Sequence, residues 1–285
     1  MSARLALIGV GLIGGSFALA LKQAGRVGEV VGCGRSRANL QWALEHGVID
    51  AIAESPARAV PDADLVMLAV PVGQTAAVLA DIAPQLAPHA IVTDAASTKQ
   101  NVVAAARDHL GGHLPRFVPG HPIAGTEHSG AAAARADLFR ERRVVLTPQA
   151  ETAAAALQEV RALWQACGAE VAEMDAAEHD AVFAAVSHLP HLLSYAYMDM
   201  IAARADSARC LDYAAGGFRD FTRIAASSPE MWRDIALTNR EALLRELLRF
   251  EAHSQVLRAA LEKADGAALE AIFTRAHNMR KDWMR

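Results

Sequence analysis

The feature that most constrains the fold is a glycine-rich turn between a strand-like and a helix-like run at the start of the chain. Residues 4–8 are almost all apolar, Gly9, Gly11 and Gly14 follow, and residues 15–22 have helical character. Gly9 suits a tight turn, Gly11 lets a pyrophosphate approach the backbone, and Gly14 lets the helix pack on the strand. The helix N-terminus attracts phosphate. The sequence therefore predicts a dinucleotide site that includes Gly9, Gly11, Leu12, Ile13 and Gly14.

The end of the second predicted strand indicates which dinucleotide is bound. An NAD site needs an acidic residue there to bind the ribose hydroxyls, but the strand at residues 29–34 ends in Arg35, Ser36 and Arg37. Guanidinium groups match phosphate geometry, so these residues favour the 2′-phosphate of NADP. The alternative is a solvated loop with two surface arginines. NADP is the expected cofactor, with NAD as the second choice.

Two further apolar runs extend the sheet. Residues 65–70 and 90–94 read as buried parallel strands, with a helix at 74–86 between them. Ligands of such doubly wound sheets bind beyond the carboxyl ends of the strands. We expect Val70, Pro71, Ser97 and His121 on one rim, although Ser97 could instead cap the next helix. Strands at 143–146 and 170–174, on either side of a helix at 152–165, are expected to close the same sheet.

His121 is the strongest candidate for proton transfer. It lies between Pro119 and Pro122, which restrict the backbone on both sides and keep it out of a helix. An imidazole held still on a loop suits a proton acceptor. A structural histidine in a tight turn is the alternative.

The second half of the chain has helical periodicity only. We predict an α/β domain at residues 1–174 and an all-α domain at residues 175–285, whose apolar faces bury against a second copy of the chain. His188 and His191 share a helix face, as metal ligands or as core histidines at a proline kink. A third ligand is not evident, so no metal is expected. Arg223 lies among aromatic residues, as a clamp for a substrate carboxylate or in an interdomain salt-bridge patch.

Composition excludes several partners. The formal net charge is −4 without a basic excess, which argues against nucleic acid. No apolar stretch reaches the roughly 18 residues of a membrane span. The three cysteines are far apart, and the first apolar run ends in glycines and does not resemble a secretory signal. These features predict a protein of the reducing cytoplasm whose partners are a small-molecule substrate and a second copy of the chain, and the motifs decide the chemistry.

Four motifs, at residues 9–16, 120–130, 187–191 and 217–225, resemble those of the prephenate/arogenate (cyclohexadienyl) dehydrogenases of tyrosine biosynthesis. They occur in the same order and span nearly the whole chain. The resemblance implies an N-terminal Rossmann dinucleotide-binding domain and a C-terminal all-α dimerisation domain. It also implies oxidative decarboxylation of prephenate or arogenate to 4-hydroxyphenylpyruvate or tyrosine, with reduction of NAD(P).

The resemblance assigns roles to individual residues. His121 would accept the proton of the ring hydroxyl, and Ser97 would lie between that hydroxyl and the nicotinamide. Arg223 would bind a substrate carboxylate. The other residues expected in the substrate pocket are His188, His191, Glu127 and Trp232.

Two other functions are compatible with a dinucleotide-binding chain. A β-hydroxyacid dehydrogenase uses a lysine of its helical domain as acid and base, but neither residues 187–191 nor 217–225 contain lysine. A non-catalytic NADP-binding sensor would keep the glycine turn, with no reason to keep His121, Ser97 and Arg223 together.

Overall fold

The structure is a computed structural model that describes residues 3–126 and 128–283. Glu127, expected in the substrate pocket, lies outside the described residues. The chain forms two compact units, Met1–Arg240 and Glu241–Arg285. The helices up to residue 238 therefore belong to the same unit as the β-strands, while the boundary near residue 174 stays a prediction.

The main sheet of the first unit has six parallel strands in the order β3-β2-β1-β4-β5-β6. The strands are β1 (Ala3–Ile8), β2 (Val27–Cys33), β3 (Ala51–Ile52), β4 (Leu65–Leu68), β5 (Ile91–Asp94) and β6 (Phe117–Val118). The helices that connect them are α1 (Leu12–Gln23), α2 (Arg37–Glu45), α3 (Pro56–Ala59), α4 (Thr75–Ile82) and α5 (Gln100–His109). This topology confirms the predicted doubly wound α/β fold and places its switch point between β1 and β4.

Apolar side chains cover both faces of this sheet. Along β1, Leu5 and Leu7 pack in one hydrophobic cluster, whereas Ala6 and Ile8 pack in the other. The alternation follows from the two-residue period of a strand, and burial on both faces explains the near-continuous apolar sequence. Because both faces are covered, the carboxyl ends of the strands remain as the place for a ligand.

The late strands do not close the main sheet, and that expectation was wrong. β7 (Gly120–Pro122), β8 (Arg143–Leu146) and β9 (Glu170–Glu173) form a separate three-stranded sheet, with helix α6 (Ala154–Ala166) between β8 and β9. Pro119 follows β6 and cannot donate a ladder hydrogen bond, so the first sheet ends there. His121 therefore lies in a short strand, where it pairs with Val145 in antiparallel register.

Helices follow from Ala176 onward, as predicted. In the first unit they are α7 (Ala176–Phe183), α8 (Leu189–Ala202), α9 (Ser207–Asp212), α10 (Gly216–Thr222) and α11 (Pro229–Thr238). A π-helical turn at Ala184–His188 joins α7 to α8, and Pro190 lies in the first turn of α8, where the missing N–H costs little. Helix α12 (Arg240–Glu262) begins at the last residue of the first unit, and α13 (Gly266–Trp283) follows it in the second unit. None of the helices within residues 3–126 and 128–283 combines the length and hydropathy required to cross a bilayer.

Candidate active site

A cavity of about 480 Å³ lies at the carboxyl ends of the central strands. It is lined by residues that follow β1, β2, β4 and β5, by β7 and the segment after it, and by α11 and the two residues before it. The predicted site residues that line it are Gly11, Leu12, Ile13, Arg35, Val70, Pro71, Ser97 and His121. The structure thus brings the predicted cofactor turn and the predicted proton acceptor to one cavity.

The glycine turn fits a dinucleotide phosphate. Gly9 has φ +100°, and a Cβ there would lie 2.3 Å from the carbonyl oxygen of Ala69. A Cβ on Gly11 would meet nothing within 4 Å, so the space above this backbone is open. Helix α1 begins at Leu12 with no side-chain cap and no acidic residue in its first turn. Its first amides and its positive dipole end are therefore suited to a phosphate group.

The three residues at the end of β2 have different environments. Arg35 lines the cavity and forms an ion pair with Glu230 at 3.0 Å. Ser36 caps α2, since its hydroxyl accepts a hydrogen bond from the amide of Asn39 at 3.3 Å. Arg37 is exposed in the first turn of the same helix. Arg35 is therefore the cation of this segment that faces the cavity.

The ring of His121 is held by a buried triad of His121, His179 and Asp180. Nδ1 of His121 lies 2.8 Å from Nε2 of His179, and Nδ1 of His179 lies 2.9 Å from Oδ1 of Asp180. The Asp180 carboxylate can only accept, so His179 donates from Nδ1 and accepts at Nε2. His121 must then donate from Nδ1. Its Nε2 keeps a lone pair and is the ring nitrogen left for a ligand in the cavity.

The backbone next to His121 is held by a buried ion pair between Lys99 and Asp94, both almost fully buried. Nζ of Lys99 donates to the carbonyl oxygen of Gly120 at 2.6 Å, and Oδ1 of Asp94 accepts from the amide of Gly120 at 3.0 Å. Both polar backbone groups of Gly120 are therefore satisfied by one ion pair. This fixes the main chain from which the His121 side chain extends.

The electrostatics of the triad keep both imidazoles neutral. Burial is the main cause that holds the pKa of His121 well below its ordinary value of 6.5, and electrostatic interactions with His179 and Lys99 add to it. Burial also lowers the pKa of His179, although its hydrogen bond to Asp180 opposes this shift. Burial alone would raise the pKa of Asp180, but hydrogen bonds from His179 and two backbone amides lower it below the ordinary range. A neutral imidazole with a free lone pair can accept a proton near neutral pH.

Ser97 lines the cavity and does not cap α5. The N-cap residue of that helix is Lys99, and the amides of Lys99 and Gln100 donate to the two oxygens of Asp180 at 2.7 and 2.9 Å. Asp180 thus caps α5 from a distant helix while it orients His179. The side chain of Ser97 is left to the cavity.

A second cluster contains the remaining predicted substrate residues. The rings of His191 and Trp232 stack with centroids 3.6 Å apart, and the charge of Arg223 contributes to the lowered pKa of His191 after the larger effect of burial. His188 is buried, and burial lowers its pKa to about 4. Arg223, His188, His191 and Trp232 are not among the residues that line the 480 Å³ cavity. Met231, the neighbour of Trp232, does line it, so this second cluster adjoins the cavity.

Sequence comparison shows what kind of protein contains this site. A family model for the nucleotide-binding domain of prephenate dehydrogenase matches residues 17–173, and a model for the prephenate dehydrogenase dimerization domain matches residues 175–275. The chain belongs to the prephenate dehydrogenase family. It is therefore an NAD(P)-dependent oxidoreductase, as the resemblance of its motifs predicted.

Individual relatives agree with the family models. The chain is 38% identical to the cyclohexadienyl dehydrogenase of Zymomonas mobilis, over 97% of this chain and 94% of the relative. Its structure is similar to that of prephenate dehydrogenase from Aquifex aeolicus, solved with hydroxyphenyl propionate and NAD⁺, with a TM-score of 0.89, 33% identity and coverage of 100% and 99% of the two chains. The arogenate dehydrogenase of Synechocystis gives a TM-score of 0.80 at 28% identity, covering 98% of this chain and 99% of that one.

Sequence reasoning did not single out His179, Asp180 or Glu230. His179 and Asp180 lie in the predicted helical stretch, where three adjacent polar residues, Glu178, His179 and Asp180, precede a run of apolar ones. That pattern is a usable signal for buried polar groups, since charged residues are rarely buried without partners. Glu230 gave no such signal, because its partner Arg35 is 195 residues away.

Proposed function

We propose that this chain catalyses the oxidative decarboxylation of prephenate or arogenate, with His121 as the base and with NADP preferred over NAD. The observation that carries the proposal is the neutral His121 ring, whose Nε2 is left to a cavity that also contains Ser97 and the dinucleotide turn. The named relatives act on cyclohexadienols, which supports this substrate class.

The chemistry follows from the position of His121. Nε2 of His121 accepts the proton of the ring hydroxyl, and the carbon that bears this hydroxyl loses a hydride. A bound nicotinamide supplies the hydride acceptor. The bond to the ring carboxylate breaks as carbon dioxide leaves, and its electron pair enters the ring, which becomes aromatic. Because aromatisation drives this last step, the protein needs no electron sink, and a positioned base contributes roughly 10²–10⁴ in rate.

The substrate end of the proposal rests on the second cluster. Arg223 supplies a cation for a substrate carboxylate, beside the stacked pair of His191 and Trp232. His188 supports this region from within the core, since its Nδ1 lies 3.0 Å from Nδ2 of Asn239. Ser97 lies on the cofactor side, and Glu127 is assigned to the side-chain end of the substrate by motif position alone.

The proposed preference for NADP rests on the residues that follow β2. Arg35 lines the cavity, no acidic residue follows the strand before α2, and Ser36 and Arg37 are exposed beside it. A guanidinium fork at this place suits the 2′-phosphate, whereas NAD needs an acceptor for its ribose hydroxyls.

We assign the helical region to a homodimer interface. In α12 and α13 large apolar side chains are more than half exposed, and they include Leu248, Val256, Leu261, Phe273 and Trp283. Such a surface indicates a protein partner, and the dimerization-domain model covers most of these helices.

A cytoplasmic location is part of the proposal, and it agrees with the free thiols of Cys33, Cys167 and Cys210.

The hydroxyacid dehydrogenase alternative is disfavoured by the environment of Lys99. This lysine is fully buried and bonded to Asp94 and to the carbonyl of Gly120, so it does not face a substrate. The other lysines, Lys22, Lys263 and Lys281, are not among the residues that line the cavity.

The test is a spectrophotometric assay at 340 nm with purified protein, in which prephenate and arogenate are each combined with NAD and NADP. We expect turnover in at least one mixture and a higher kcat/KM with NADP. A higher kcat/KM with NAD would overturn the cofactor preference alone. Absence of turnover in all four mixtures, from protein shown to be folded by circular dichroism, would overturn the reaction.

A further inference from the structure

Arg35 and Glu230, which both line the cavity, form a bidentate ion pair. Nη1 of Arg35 lies 3.0 Å from Oε1 of Glu230, and Nη2 lies 3.4 Å from Oε2. Arg35 follows β2, and Glu230 is in the first turn of α11. Both residues line the cavity that contains Gly11 and Ser97. The pair therefore lies where a dinucleotide enters the proposed site.

The pair is not needed to hold α11 in place. The side chains of Arg35 and Glu230 are 65% and 43% exposed, and ion pairs at such positions contribute little to folding because water screens them. Helix α11 is anchored instead by Ile235, which is buried in the apolar cluster on one face of the main sheet, and by Trp232, which packs against that cluster. The ion pair therefore contributes little to folding, and any role it has comes from its position in the cavity lining.

The carboxylate of Glu230 occupies the same fork that a phosphate would use. A guanidinium binds carboxylate or phosphate through two parallel N–H groups, so one anion excludes the other from that edge. The hydrogen bond to Arg35 lowers the pKa of Glu230, which is therefore ionised at neutral pH. A 2′-phosphate brought to Arg35 must displace this carboxylate and then lies close to its negative charge.

We propose that Glu230 is a specificity-determining residue that competes with the 2′-phosphate of NADP for Arg35 and so weakens NADP preference. The proposal rests on the assignment of Arg35 to the 2′-phosphate in the proposed function. NAD carries no phosphate at this position, so Glu230 does not compete with it. Glu230 thus brings the affinities for the two cofactors closer together than the sequence at the end of β2 alone indicates.

The experiment measures equilibrium binding of adenosine 2′,5′-bisphosphate and of 5′-AMP by isothermal titration calorimetry, which needs no turnover. Glu230→Gln removes the charge and keeps the shape of the side chain. We expect it to tighten binding of the bisphosphate about five- to tenfold, the effect of one like charge near contact in water, and to change 5′-AMP binding much less. In the Arg35→Ala background the same substitution should have a much smaller effect on bisphosphate binding, because the guanidinium for which the two anions compete is absent.

The matched control is Glu151→Gln. Glu151 forms a comparable exposed, bidentate ion pair with Arg107, and neither residue lines the cavity. This substitution should leave both ligands unaffected. Unchanged bisphosphate binding in Glu230→Gln, with weaker binding in Arg35→Ala, would overturn the competition and leave the NADP assignment standing. Unchanged bisphosphate binding in Arg35→Ala would remove Arg35 from the phosphate site and overturn both. Thermal melts of each variant establish that it is folded.

Discussion

Nδ1 of His121 and Nε2 of His179 lie 2.8 Å apart in the core, and this contact determines which nitrogen of His121 is basic. Asp180 fixes the tautomer of His179, and His179 in turn fixes that of His121. The same carboxylate caps α5, the helix that follows Ser97. The Asp180 carboxylate therefore both orients the proposed base, His121, through His179 and holds the start of the helix that follows Ser97.

Replacement of His121 by Asn should remove the proposed base while keeping a polar side chain of modest size. We expect kcat to fall about 10²-fold or more with little change in KM, because a positioned base acts mainly in the transition state. Steady-state kinetics at 340 nm measures both constants. Turnover close to that of the unaltered protein would remove His121 from the chemistry.

Replacement of His179 should test whether the triad positions His121. His179→Leu removes the acceptor for Nδ1 of His121, and we expect kcat to fall at least about 10-fold, within the range that a positioned base contributes. His179→Gln retains an amide oxygen that can accept the same hydrogen bond, so it should restore part of the activity. Equal kcat values for the two variants, both folded by circular dichroism, would show that the hydrogen bond does not matter.

Much of this architecture follows from short-range sequence signals. The turn at Gly9 and Gly11 could be predicted because strand, glycines and helix are consecutive, and the rim position of Ser97 followed from the parallel order of the strands. The second sheet could not be predicted, because pairing of His121 with Val145 depends on where Pro119 ends the first sheet. The partners of His121 were missed for a similar reason, since His179 is 58 residues away in sequence.

The pH dependence of kcat/KM should reflect the buried state of His121. Burial holds the pKa of His121 well below 6.5, so the ring stays neutral as the pH falls through that value. We expect kcat/KM to be constant above pH 6.5 and to decline only at clearly lower pH, since the protonated ring cannot accept a proton. An acidic limb centred at or above pH 6.5 would mean that the titrating group is not this buried imidazole.

Stability must be followed in the same buffers, because the same histidines link folding to pH. The pKa values of His121, His179 and His188 are lowered in the folded state, so the unfolded chain binds more protons below pH 6.5. The free energy of unfolding should therefore be unaffected by these groups above pH 6.5. It should fall as the pH drops toward their folded-state pKa values, by roughly 1.4 kcal/mol per pH unit for each. Urea unfolding at fixed protein concentration measures this slope.

Arg223→Ala should weaken substrate binding rather than catalysis. Arg223 is exposed in the chain, so its interaction with a carboxylate is partly screened, and we expect KM to rise by about tenfold with a smaller change in kcat. Arg219→Ala is the matched control, because Arg219 is an exposed arginine one turn earlier. If both variants raise KM equally, the effect is one of general charge and Arg223 is not a specific ligand.

Lys99→Met should reduce both stability and turnover. The substitution keeps an apolar stem of similar length but leaves the buried carboxylate of Asp94 without its cation, and breaking a buried pair in this way costs about 3–5 kcal/mol. The carbonyl of Gly120 also loses its donor, so the backbone next to His121 is less well fixed. Urea unfolding gives the stability, and kcat is measured at a temperature where the variant is folded.

Lys22→Met provides the comparison, because Lys22 pairs with Asp50 at 2.8 Å near the surface, with side chains 22% and 40% exposed. Such a pair contributes about 0–1 kcal/mol, so this variant should remain close to the unaltered protein in stability and kcat. Equal stability of the two variants would show that the Lys99–Asp94 pair contributes no more than a surface pair. If Lys99→Met loses stability but keeps its kcat, the Lys99–Asp94 pair stabilises the fold without positioning His121, and the triad alone orients the ring.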